Sequence, residues 1–157
     1  MKKILLHAFL SVFYIINFTY AESDIENDTH DNSIYLEQYF LELDMNKNGQ
    51  IDKKDIERFS KNEFNEMDKN NDDILTKKEF FTYICKNNCI KDYCNCTNIK
   101  NIDDTEYIKE FWDKMDKNKD GKITFQEKLD SDIENFFIMD INGDGVISRS
   151  EAEAQLY

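Results

Sequence analysis

Positive charge is scarce in this chain. Twenty Lys and Arg stand against 33 Asp and Glu among 157 residues, a net charge of −13. That shortage excludes nucleic acid as a partner class, because phosphate contacts depend on Lys and Arg. It favours cations or basic segments instead. Histidine is nearly absent: His7 and His30 both lie near the N-terminus and are assigned no role. No histidine stands near a cysteine, so a Cys–His nucleophile is not indicated. Long apolar runs are missing as well. The stretch from Ile4 to Ile16 falls short of the ~20 residues that a membrane span needs.

That stretch has a different use. Lys2 and Lys3 precede it, and Thr19-Tyr20-Ala21 places a small residue at a cut position. This is the layout of a secretory signal peptide over residues 1–21. Cleavage after Ala21 removes two lysines, takes the net charge to −15 and leaves no stable membrane anchor. Residues 22–32 (ESDIENDTHDN) read as an acidic, disordered leader. The chain ends EAQLY, which is no KDEL-type retention signal, so the expected location is secreted or the lumen of the secretory pathway.

What is abundant is a pattern. DMNKNGQIDKKD (44–55), DKNNDDILTKKE (68–79), DKNKDGKITFQE (116–127) and DINGDGVISRSE (140–151) share one spacing of oxygen-bearing side chains. Their first residues fall 24 apart within each pair, and the pairs are offset by 72. The same offset aligns Tyr35 with Tyr107, Phe40 with Trp112, Phe64 with Phe136 and Met67 with Met139. Such self-similarity predicts two equivalent lobes. The flanks are helical in period. Leu36, Tyr39, Phe40 and Leu43 repeat one face ahead of the first stretch, as do Ile108, Phe111, Trp112 and Met115 ahead of the third. Phe80, Tyr83 and Ile84 continue such a face after the second. These stripes are read as core.

The pattern D-x-[DN]-x-[DN]-G-x5-E resembles the calcium loop of the EF-hand family. Crowded carboxylates repel one another in an empty loop and become favourable once a dication enters. Ca²⁺ takes six to eight oxygens at ~2.3–2.6 Å, which the resemblance assigns to positions 1, 3, 5, 7 (a carbonyl), 9 and 12. The fourth loop then offers Asp140, Asn142, Asp144, Val146, Ser148 and Glu151, and the third Asp116, Asn118, Asp120, Lys122, Thr124 and Glu127. The second offers Asp68, Asn70, Asp72, Ile74, Thr76 and Glu79, but Asp73 stands where glycine is usual. The first offers Asp44, Asn46, Asn48, Gln50, Asp52 and Asp55. Asp55 is a methylene shorter than the usual glutamate, which weakens capture of Ca²⁺ and lets Mg²⁺ compete. Tighter binding is expected at the third and fourth loops.

The resemblance implies an all-α fold of two EF-hand pairs, with loops joined by short β-bridges at the apolar position 8: Ile51, Leu75, Ile123 and Ile147. Sequence order predicts an N-terminal pair over 33–84, a Cys-rich linker over 85–104 and a C-terminal pair over 105–157. Loops within each pair are closer than in calmodulin-like hands, leaving only 56–67 and 128–139 between them. Ser60–Glu63 and Ser131–Glu134 read as capping boxes that restart a helix, so a short helical hairpin is expected in each gap.

Cys85, Cys89, Cys94 and Cys96 cluster in CKNNCIKDYCNC. In a secreted chain they are disulfide candidates, paired 85–94 with 89–96 or 85–96 with 89–94. A four-thiolate zinc site is the alternative, although the spacing fits no common zinc pattern. Asn27 and Asn95 sit in glycosylation sequons. Little chain remains for catalysis, so no enzyme is expected. The favoured function is a calcium buffer or structural module. A calcium-dependent adaptor with an apolar groove for a protein partner is the second, and an enzyme regulator or subunit the third. The absence of a Met-rich groove favours the first.

Overall fold

The apolar stripes seen in the sequence become helices buried on one side. A computed structural model describes residues 33–88 and 106–156. The signal stretch, the leader, both sequons and the segment bearing Cys89, Cys94 and Cys96 lie outside the described residues. In chain order the elements are α1 (Ser33–Leu43), β1 (Ile51–Asp52), α2 (Lys53–Met67), β2 (Ile74–Thr76) and α3 (Lys77–Asn88). They continue with α4 (Glu106–Met115), β3 (Lys122–Thr124), α5 (Phe125–Met139), β4 (Val146–Ile147) and α6 (Arg149–Leu156). The expected class holds: helices dominate, and the strands are two short bridges between loops. None of the described helices is long and apolar enough to cross a membrane.

The hairpins expected at 56–67 and 128–139 do not form. Each gap is part of one continuous 15-residue helix, α2 or α5. No proline or glycine interrupts either gap, and burial runs unbroken along α2 through Ile56, Ser60, Glu63, Phe64 and Met67. Ser60 and Glu63 do not cap each other, because both are spent on long-range partners. The Ser60 hydroxyl donates to Asp132 Oδ2 at 2.5 Å, and Glu63 Oε2 lies 2.7 Å from Lys128 Nζ.

The pairing of loops changes with the helices. β1 pairs antiparallel with β4, Ile51 opposite Ile147. β2 pairs antiparallel with β3, Leu75 opposite Ile123. The first loop therefore partners the fourth and the second partners the third, instead of the expected pairs within 33–84 and 105–157. The chain divides into two compact units accordingly: Met1–Phe59 with Ile133–Tyr157, and Ser60–Asp132.

Each unit has its own core. In the first, Tyr39, Phe40 and Leu43 of α1 pack with Ile51, Ile56, Phe136, Met139, Ile147 and Ala152. In the second, Phe64, Met67, Leu75, Phe80, Ile84, Phe111, Trp112, Met115 and Ile123 are buried, with Phe80 edge-on to Trp112. Burying one such side chain contributes roughly 1.5–3 kcal/mol. All four position-8 residues are fully buried, so the bridges seal the cores from the loop side.

Candidate metal centre

Each loop is folded by its own oxygens. The position-1 carboxylates are buried, and each accepts two or more backbone N–H bonds from its own loop. Asp116 takes those of Asp120 and Gly121 at 3.2 and 3.0 Å. Asp140 takes those of Gly143, Asp144 and Gly145. Asp68 takes those of Asp72 and Asp73, and Asp44 those of Asn48 and Gly49. At position 3, Asn46, Asn70, Asn118 and Asn142 each accept the N–H two residues on. At position 5, Asn48, Asp72, Asp120 and Asp144 do likewise for position 7. These turns curl each loop on itself, and the resemblance adds the position-7 carbonyl oxygens of Gln50, Ile74, Lys122 and Val146 to its side-chain oxygens.

The left-handed bends fall at two places per loop. Position 6 is one: Gly49, Gly121 and Gly145 have φ near +80 to +89°, and Asp73 holds the same bend at +62°. Position 4 is the other, with Lys47, Asn71 and Lys119 at +56 to +59° and Gly143 at +73°. The motif marks the first and is silent on the second. Asp and Asn tolerate this region better than most side chains.

Positions 9 and 12 do double duty. Thr124 is the N-cap of α5: its Oγ1 accepts the Glu127 N–H at 3.2 Å, while Glu127 Oε2 accepts the Thr124 N–H at 2.9 Å. Thr76 with Glu79 and Ser148 with Glu151 repeat this box at α3 and α6. Asp52 with Asp55 repeats it at α2. These are capping boxes, and those of α2 and α5 lie about two turns before the Ser60 and Ser131 positions that the sequence pointed to. Position 9, assigned by resemblance to metal through water, is engaged in holding position 12. The box engages one carboxylate oxygen and leaves the other outside it.

That second oxygen differs between loops. In the third, Glu127 Oε1 is buried with no hydrogen-bond partner. A buried charged oxygen left unpaired costs ~1–3 kcal/mol or more, and a cation in the loop removes that cost. In the second and fourth, Oε1 of Glu79 and Glu151 is met by backbone N–H groups, those of Lys69 and Asn142 among them. Burial tends to raise the pKa of both glutamates, but the Thr76 or Ser148 hydroxyl and the backbone amides outweigh it. Both are held below the ordinary carboxylate value and stay charged at pH 7. In the first loop both oxygens of Asp55 are taken, by Asn46 Nδ2 at 3.0 Å each. The donor sets are mixed carboxylate, amide and carbonyl. Among the described residues no three His, Cys, Asp or Glu side chains are drawn together as a ready metal cluster.

One neighbour of the site was not marked by any motif. Trp112, four residues before Asp116, donates its indole N–H to Asp116 Oδ2 at 3.2 Å.

A helix, an oxygen-lined twelve-residue loop and a second helix, bridged to a like neighbour through position 8, define an EF-hand protein. An EF-hand domain pair matches residues 61–131, and an EF hand matches 36–60 and 136–151. The chain belongs to the EF-hand calcium-binding superfamily, whose domains bind Ca²⁺ and whose members are typically sensors or buffers and not enzymes. The matched pair coincides with the unit Ser60–Asp132, which holds the second and third loops. No match was found among curated proteins.

Proposed function

We propose that this protein is a calcium-binding buffer or structural module that works outside the cell or within the secretory pathway. The observation that carries the reading is the buried, partnerless Oε1 of Glu127, the closing carboxylate of a loop rich in oxygen-bearing side chains. Asp116, Asn118, Asp120, the Lys122 carbonyl and Glu127 would hold one ion, and the matching residues of the second and fourth loops would hold others. Glu151 and Glu79 supply the position-12 carboxylates there. The location rests on residues 1–21. Calcium is abundant in that compartment, so sites of ~10⁻⁴–10⁻³ M affinity stay filled. Such sites store or stiffen and do not report cytosolic pulses.

Buffering is favoured over target binding by where methionine goes. Met67, Met115 and Met139 are buried in the cores and Met45 alone of the described methionines is exposed, too few for an adaptable groove. One observation favours the adaptor reading. Leu41, Phe137, Ile138 and Ile141, all in the first unit, are at least half exposed. Hydrophobic-dye binding with and without Ca²⁺ at constant ionic strength separates the two. A buffer gains order while dye binding stays flat or falls. An adaptor must bind its partner better in one state, so a several-fold calcium-dependent rise in dye binding would replace the buffer reading.

A further inference from the structure

The geometry points to a first loop that is closed by its own side chains and takes no metal ion, neither Ca²⁺ nor Mg²⁺. This rests on the calcium reading of the other loops and sharpens it. Asn46 Nδ2 donates to Asp55 Oδ1 and Oδ2 at 3.0 Å each. A donor equidistant from both oxygens lies on the bisector of the carboxylate, the direction from which a bidentate cation approaches. The amide orientation is set by its other end, because Asn46 Oδ1 accepts the Asn48 N–H at 3.0 Å. The nitrogen must therefore face Asp55.

The remaining groups agree. Asp55 Oδ2 also accepts the Asp52 N–H at 3.1 Å, so this buried carboxylate is satisfied within the protein. The contrast with Glu127 is the deciding one: no donor reaches its buried Oε1, whereas both oxygens of Asp55 already accept from Asn46. An ion entering the first loop would first have to break two hydrogen bonds to a buried carboxylate. Its shorter arm then leaves the ion poorly reached. Asn70, at the same position of the second loop, donates instead to Asp72 at 3.0 Å and leaves Glu79 alone.

Closure without metal has a use. β1 is the partner of β4, Ile51 opposite Ile147, so a self-closed first loop holds the strand of the fourth in place before any ion arrives. The first unit would load one ion at the fourth loop without cooperativity. The second unit, with two open loops bridged through Leu75 and Ile123, would load two with cooperativity.

Native mass spectrometry of the full chain at millimolar free Ca²⁺ counts the ions. Three per chain is the expected number, and Mg²⁺ alone adds none at the first loop. Asn46→Asp, which replaces the donor with a ligand, should bind one ion more than the wild type. Asn46→Ser replaces the amide that reaches Asp55 with a shorter hydroxyl, adds no charge, and should gain the same ion. A wild-type count of four overturns the inference, as does an unchanged count in both folded variants. A chain that binds no ion at all fails the calcium reading itself, which keeps the two failures apart.

Discussion

Glu127→Gln should weaken calcium binding at the third loop by at least about 100-fold. Changes one shell further out from a metal cost 10–100-fold, and this one removes a ligand. The Thr124 box survives, since glutamine serves that role nearly as well as glutamate. What is lost is the charge and the bidentate grip of the oxygen that has no other partner. The calcium-free protein should respond in the opposite sense. Neutralising a buried, unpaired carboxylate oxygen relieves a penalty of ~1–3 kcal/mol, so the variant without calcium is at least as stable as the wild type. Trp112 supplies the readout, because its indole N–H is bonded to Asp116 and its ring meets Phe80. Its emission midpoint in a calcium titration should shift with Glu127→Gln and stay within about twofold in Glu151→Gln, which belongs to the other unit. A shift of less than tenfold in Glu127→Gln removes this residue from the ligand set.

The loop residues were legible in the sequence because the information is local. A spacing of oxygen-bearing side chains over twelve residues, with position 8 apolar, needs no knowledge of the rest of the chain. Ile51, Leu75, Ile123 and Ile147 are legible as bridge positions for the same reason, and all four lie in the bridges. Which bridge joins which could not be read, since all four present one apolar residue of similar size. The answer came with α2 and α5 being unbroken, and the groups around their middles come together from far apart in sequence. Ser60 and Glu63 have the right types and spacing for a capping box. Their partners Asp132 and Lys128 come from α5, beyond the view of any local rule. Asn46 illustrates the same limit at short range. It fits position 3 in type, and only the three-dimensional placement of its amide shows it turned on Asp55.

That buried cluster carries the largest expected effect on stability. Lys128 is about 1 % exposed, with Nζ 2.7 Å from Glu63 Oε2 and 2.6 Å from Asp132 Oδ2. Burial alone would lower its pKa, but Asp132 and Glu63 outweigh burial and lift it above the ordinary 10.5. A lysine with a raised folded value stabilises the fold fully below pH 10.5 and loses that contribution only as pH climbs through the folded value. The cluster is thus constant across the neutral range. Lys128→Met keeps the packing of the stem and deletes the charge, leaving two buried carboxylates facing the single hydroxyl of Ser60 and Tyr83 at 3.5 Å. Breaking one side of a buried ion pair costs ~3–5 kcal/mol. For a unit of this size that lowers Tm by more than about 12 °C, measured without calcium so that ligand binding does not mask it. Adding Glu63→Gln and Asp132→Asn to Lys128→Met should restore most of the loss, since the penalty lies in stranded charge and not in lost attraction. The exposed pairs Arg149–Glu37 and Lys109–Asp113 serve as controls, because solvent screens them and their removal should shift Tm little. A Lys128→Met chain that melts within a few degrees of the wild type would show that water reaches these carboxylates. The cluster would then not be what keeps α2 and α5 unbroken at Ser60 and Asp132.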